Sequence, residues 1–245
     1  MSKSSDYIQN IQKIIEQVNL SQLGKINESA ALLAGTLKNS RNIFFFGTGH
    51  SSLLSQEVFY RAGGLVNIRP ILETSMLLNE SAHKSTKVER LEGYAGILFE
   101  RYEIKRGDAV IIISNSGRNG STVDMAQLCR ERGVSVIALT NMKHTLSGAS
   151  RHKSGKLLYE LADIVLDNMG AIGDASVWFP ELGRSAAPTS TVIGAMILNA
   201  VVAQTVENLI KDGITPEIWS SSNVDSGDEI NNEYVKKYKG DIISL

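Results

Sequence analysis

Two segments concentrate glycine and hydroxyl side chains immediately after short apolar runs. FGTGHSS (46–52) follows NIFF, and SNSGRNGS (114–121) follows AVIII. Glycine lets a backbone approach a ligand closely, and a helix start presents unpaired N–H groups with a partial positive charge. The groups on offer are the hydroxyls of Ser51, Ser52, Ser114, Ser116 and Ser121, the side chains of Thr48, Asn115 and Asn119, and the backbone at Gly47, Gly49 and Gly117 to Ser121. Together they suit a cradle for a single anion, held by dipoles and hydroxyls. Arg118 is the only lysine or arginine in either segment. One such loop reads equally well as a turn with capping serines; two at strand ends that should meet favour the cradle.

Other anion motifs fail. The pattern G-x-x-x-x-G-K-[ST] of nucleoside-triphosphate loops is missing. GTGHSS puts Ser52 where a dinucleotide fingerprint has its third glycine, and VNIRPIL (66–72) offers no acid for a ribose. Four histidines without i, i+4 pairing give no metal site, and the acids of NVDSGDEIN (223–231) miss the calcium-loop spacing. No cofactor and no metal are expected.

The elements that must position these loops follow from hydrophobic period. Residues 7–38 carry apolar side chains at helical spacing, read as two helices broken near Leu20–Gly24. NIFFFG (42–47), LVNIRPIL (65–72), DAVIIIS (108–114), VSVIALT (134–140) and ADIVLD (162–167) read as strands; the continuous apolar runs among them suit burial on both faces. Helices are expected after Gly49, over 86–102 with Thr86 as N-cap, over 121–132 before Gly133, and over 189–213. The last is apolar on most sides and must be covered by this chain or another. Strands alternating with helices make a three-layer αβα fold around a five-stranded parallel sheet. Ligands of such sheets bind at the carboxyl ends of the strands. Residues 1–218, with N-terminal helices to residue 40, read as one domain, and 219–245 as a polar tail or arm.

Composition narrows the class. The chain has 245 residues with a formal net charge of −1, which argues against nucleic acid or a membrane surface as partner. Its single cysteine, Cys129, allows no internal disulfide and reads as a buried structural thiol. The start MSKSSDYIQN has no signal-peptide core, so a cytoplasmic location is expected.

The sequence also resembles the sugar isomerase (SIS) domain family. FFFGTGHSS is similar to that family's first strand and loop. VIIISNSGRN is similar to its phosphate loop, S-x-S-G-x-[ST], with Asn119 where a hydroxyl residue is usual. ELGRSAAPTSTVIGAMILN is similar to the segment that packs near the sugar and opens the last helix. Within the family, residues 113–168 look closest to a phosphoheptose-isomerase-like branch. The resemblance implies a flavodoxin-like sheet, a sugar phosphate ligand, and a homodimer or homotetramer whose sites are completed by a neighbouring subunit. It implies that Ser114, Ser116 and Asn119 bind phosphate, with Thr48 and Ser51 or Ser52 lining the site; the Asn119 amide can still donate.

Aldose–ketose isomerisation needs a base to carry a proton between C1 and C2 and an acid to open the ring. HKSTKVERLEG (83–93) concentrates His83, Lys84, Lys87, Glu89 and Arg90 where the family places its base. The expected base is Glu89, with His83 as ring-opening acid or as a contributor to a partner's site. Glu57 lies two turns into the helix after the first loop; Glu92 and Glu181 are further carboxylates near strand ends. Each also reads as a solvated surface acid, and Glu89 as a first-turn acid on a helix dipole. The basic stretch KHTLSGASRHKSGK (143–156), after the fourth strand, could take a second anionic group or guard a subunit interface, and the favoured reading is a solvated loop. The resulting expectation is a sugar-phosphate isomerase, with a non-catalytic phosphosugar sensor or an amino-sugar phosphate etherase as alternatives.

Overall fold

The computed structural model describes residues 2–245. Five strands, β1 (Ile43–Gly47), β2 (Ile68–Ile71), β3 (Ala109–Ile113), β4 (Ser135–Thr140) and β5 (Ile164–Asp167), form one sheet in the order β2-β1-β3-β4-β5. Every pairing in it is parallel. β1 and β3 are buried at all five positions. Because side chains alternate between faces, each continuous apolar run feeds two cores at once. Ile43, Phe45, Ile111, Ile113 and Ile137 enter one core; Phe44, Phe46, Val110, Ile112 and Val136 enter the other.

The first core is covered by α1 (Lys3–Lys38), α2 (Ser51–Glu57) and α7 (Ser190–Lys211). The second is covered by α4 (Tyr94–Arg101) and α5 (Gly120–Arg132). Short helices α3 (Ala82–Val88) and α6 (Met142–Leu146) cap the carboxyl ends of the strands. α7 is long and apolar enough, by length and composition, to cross a membrane. Here eight of its residues, Ile193 and Ile197 among them, are buried in the fold, and it packs along α1.

Several sequence expectations are corrected. α1 is one continuous helix, with no break at Leu20–Gly24. Leu20 and Leu23 are exposed, which is why the apolar phase lapses there, while Ile14 and Val18 before the lapse and Ile26 and Leu33 after it are buried. A single helical glycine costs only about 1 kcal/mol, too little to break a helix anchored at both ends. The helix expected over 86–102 is two. Ser81 caps α3 by accepting from the Lys84 N–H at 3.3 Å, and Gly93, at φ 84°, resets the chain before α4. Thr86 is therefore inside α3, where its hydroxyl donates to the Ala82 carbonyl. Glu89 is the C-cap of α3, not a first-turn acid.

An antiparallel hairpin, β6 (Ala175–Phe179) with β7 (Arg184–Pro188), had no counterpart in the sequence reading. Glu181 lies in the turn at its tip, not at the fifth-strand end. The segment from Trp219, read as a tail, carries α8 (Gly227–Tyr238) and docks on the body. Trp219, Tyr238 and Ile242 form a small core with Val66. Its polar composition is that of the solvated face of α8, while Tyr234, Val235 and Tyr238 fall on the face turned to the body.

Candidate functional site

β1 ends at Gly47, where a Cβ would lie 2.6 Å from the Ser51 carbonyl oxygen, so only glycine lets α2 fold back over the strand end. This turn holds Thr48 at the mouth of the sheet. The Thr48 hydroxyl donates to Glu89 Oε2 at 2.8 Å, linking the first loop to the α3–α4 break. The Ser52 hydroxyl donates to the Gly49 carbonyl at 2.7 Å and is consumed in the turn.

β3 ends in the second loop. Ser114 Oγ accepts from the Gly117 N–H at 3.1 Å, which closes the turn and leaves its own proton to donate. Gly117 has φ 59°, and a Cβ on it would press on Leu158, Thr140 and Thr145 at 3.3 Å. Asn115 Oδ1 accepts from Asn168 Nδ2 at 2.8 Å, tying the end of β3 to the end of β5. Asn119 Oδ1 accepts from Arg151 at 2.9 Å. The Ser121 N–H and hydroxyl both donate to the Glu89 carbonyl, at 3.1 and 2.8 Å. Among the described residues, the backbone N–H groups of Ser116, Arg118 and Asn119 donate to no protein acceptor.

These loops surround a cavity of about 370 Å³. That volume is within the range of small-molecule sites. Thr48, Gly49, His50 and Ser51 line it from β1–α2; Ser85, Thr86 and Glu89 from α3; Asn115 and Asn168 from the ends of β3 and β5. Asp174, Ser190 and Thr191 close it from the hairpin and α7. Asp174 is at φ 70°, and its carboxylate accepts from the Ser190 N–H at 2.8 Å, the Thr189 N–H at 3.1 Å and the Ser190 hydroxyl at 2.6 Å. The N-terminal dipole of α7 is thus spent on Asp174. A somewhat larger cavity, about 420 Å³, lies between the start of β2 and α8, remote from both glycine-rich loops.

The structure brings Thr48, Gly49, Ser51, Asn115 and Glu89 together at the cavity. Gly47 and Gly117 shape its two loops; Ser114, Ser116 and Asn119 lie in the second loop just beyond the lining. Ser52 and Ser121 point their hydroxyls at backbone carbonyls, so neither donates to a ligand. His83 is solvent-exposed on α3 and does not reach the cavity. Glu57 is also outside it and pairs with Arg61 at 2.7 Å, one turn along its own helix.

Sequence reasoning missed His50, Thr86, Asn168, Asp174 and Ser190. His50 belongs to the first glycine-rich loop, FGTGHSS, so its place beside Thr48 and Ser51 is a local signal. Asp174 carries no local signal, because its contact with α7 depends on the hairpin. The 143–156 stretch is mostly exposed, as expected of a solvated loop, but it opens in α6 and buries one of its basic side chains. His152 is buried, with Nε2 2.9 Å from Asp124 and Nδ1 2.7 Å from the Ser154 hydroxyl. Among the described residues no group of three or more histidine, cysteine or acidic side chains could hold a metal ion.

A parallel sheet in the order 2-1-3-4-5, with a polar cavity at the carboxyl ends of β1 and β3, is a flavodoxin-like α/β arrangement, and the cavity sits at its topological switch point. The SIS domain model matches residues 6–141, more than half of the chain, and the chain belongs to that family. A UPF0309 protein of Caldanaerobacter subterraneus subsp. tengcongensis is 40% identical over 236 residues, covering 95% of this chain and 96% of its own. A UPF0309 protein of Listeria innocua is 39% identical over 96% and 95% of the two chains. Among solved structures, the phosphoheptose isomerase of Neisseria gonorrhoeae superposes with a TM-score of 0.55 at 17% identity, over 85% of this chain and 97% of that one. A phosphoheptose isomerase from Francisella tularensis also gives 0.55, at 16% identity, over 84% and 100%. At these identities the structural likeness concerns the fold.

Proposed function

We propose that the chain binds a sugar phosphate in this cavity and interconverts its aldose and ketose forms. The observation that carries the reading is the placement of Glu89. Its side chain is fixed by Thr48 and its main chain by Ser121, so a carboxylate is held at the cavity wall by both glycine-rich loops. The phosphate sits on the second loop, where Ser114 and Ser116 offer hydroxyls and the amides of Ser116, Arg118 and Asn119 offer N–H groups. A phosphate anchored there directs the sugar carbons toward β1 and Glu89. Glu89 then carries the proton between C1 and C2, and His50, which lines the cavity from the first loop, serves ring opening in place of His83. That two of the neighbours sharing this fold are phosphoheptose isomerases supports this choice of ligand and reaction.

The first test is a thermal-shift screen of sugar phosphates against their parent sugars. A ligand at about 100 times its Kd should add about 2.7 kcal/mol of stability, and the unphosphorylated sugars none. If no sugar phosphate moves the transition, the cavity has been misread. For a ligand that binds, exchange of solvent deuterium into C2 should occur with the wild type and vanish in Glu89→Gln while binding persists. Binding without exchange in the wild type would instead make the protein a sensor.

A further inference from the structure

Three arginines converge on the start of α5. Arg151 donates to Asn119 Oδ1 at 2.9 Å, and its backbone N–H donates to the Arg118 carbonyl at 2.8 Å. The Arg118 guanidinium lies against Gly148, where a Cβ would be 2.5 Å from Nη1, so the loop after α6 closes directly on the cation. Arg90, exposed at the α3–α4 break, is near enough for its charge to act on Arg151. Such a group calls for anions, yet the neighbouring acids are engaged elsewhere. Glu92 accepts from the Lys153 N–H, Asp124 from the Gly93 N–H and against His152, and Glu89 from Thr48. Among the described residues none of the three arginines forms an ion pair. Arg118 Nε is a buried donor with no acceptor. Arg151 is held below the usual guanidinium range by desolvation and then by the charges of Arg118 and Arg90, while the Glu89 carboxylate is near enough to oppose this. Burying an unpaired cationic donor is costly, and a bound anion removes that cost.

We propose that Arg118 and Arg151, with Arg90 at the rim, form a second anion subsite beside the cavity, and that the ligand is a sugar phosphate carrying a second anionic group. This rests on the reading of the cavity as a sugar-phosphate site. Asn119 is then explained: a serine or threonine there could not reach Arg151 as the amide oxygen does, and the asparagine links the phosphate loop to the second subsite. The second anion is a phosphate or a carboxylate, both of which match a guanidinium fork.

The test is titration calorimetry of the full chain with fructose 6-phosphate, fructose 1,6-bisphosphate and 6-phosphogluconate. The wild type should bind at least one of the two doubly anionic probes about tenfold or more tighter than the monophosphate, as one extra charge-assisted contact implies. The tighter of the two identifies phosphate or carboxylate as the second group. Arg151→Gln and Arg118→Gln should each reduce that ratio toward one, and Arg151→Lys should keep part of it. Should Arg118→Gln fail to fold, Arg151→Gln, at an exposed side chain, decides alone. Equal affinities in the wild type, or a preference surviving Arg151→Gln, overturn the second subsite and leave the cavity reading standing. Failure of every sugar phosphate to bind overturns both.

Discussion

Glu89 is held from two directions: its carboxylate by Thr48 and its carbonyl by Ser121. The two contacts separate positioning from folding. Thr48→Val removes only the side-chain contact, so kcat should fall more than tenfold while the melting temperature moves little; an unchanged kcat would show that Thr48 does not position Glu89. Cys129 is a simpler case. Burial, then the charge of Asp163, pushes its thiol up to about 12, so it stays protonated at pH 8. A disulfide reagent should leave it unlabelled in the native protein and label it on unfolding. Labelling at the native rate of an exposed thiol would mean that α5 opens. Glu92 behaves oppositely. Chiefly the backbone hydrogen bond from Lys153 holds its carboxyl below the usual range, with smaller help from the Lys153 and His152 charges. A lowered carboxylate stabilises above its unfolded pKa and loses that contribution as pH falls through its folded value. Exchange protection of the Lys153 amide should therefore be lower in Glu92→Gln than in wild type at pH 7, and the gap should close in acid.

At the scale of elements, the α3–α4 break and the α5 start act as one unit. Gly120 has no room for a side chain, since a Cβ would lie 2.6 Å from the Arg90 carbonyl and 2.9 Å from that of Leu91. Gly120→Ala must push the break away and carry Glu89 with it. Overpacking of this kind costs about 1–3 kcal/mol, so a lower melting temperature should accompany lost activity. The hairpin and α7 form a second unit. Asp174→Ala deprives the α7 start of its carboxylate cap and should cost about 1–2 kcal/mol, read as a shifted denaturation midpoint at constant slope. A melt unchanged in either variant would show that the contact does not hold its unit.

At the scale of the whole molecule, the parallel sheet sorts one set of apolar strands into two cores and leaves its polar work to the carboxyl ends. The 219–245 segment adds a third, smaller core around Val66 and Trp219 at the edge of the sheet. A chain ending at residue 218 loses Trp219, Tyr238 and Ile242 and exposes Val66. It should melt lower yet keep sugar-phosphate binding, because the cavity takes no lining from α8.

Five strands, their parallel arrangement and the two glycine-rich loops were legible in the sequence because each is a local signal. An apolar run of five residues has one burial solution, and Gly47 and Gly117 are required by their own turns. Glu89 was legible as a residue near the site but not as a helix C-cap, because the α3–α4 break is set by Gly93 and by packing on Gly120. Ser52 and Ser121 looked like ligand donors, since nothing in a sequence reveals which hydroxyl a distant carbonyl has already taken. Asp174 and the arginine group answer to contacts between segments distant in sequence, such as Arg151 with Asn119, 32 residues away. Local propensity and period determine which elements form and which loops terminate them. Which polar groups remain free to act is decided only when those loops meet, because hydrogen-bond satisfaction and charge pairing depend on distances in space.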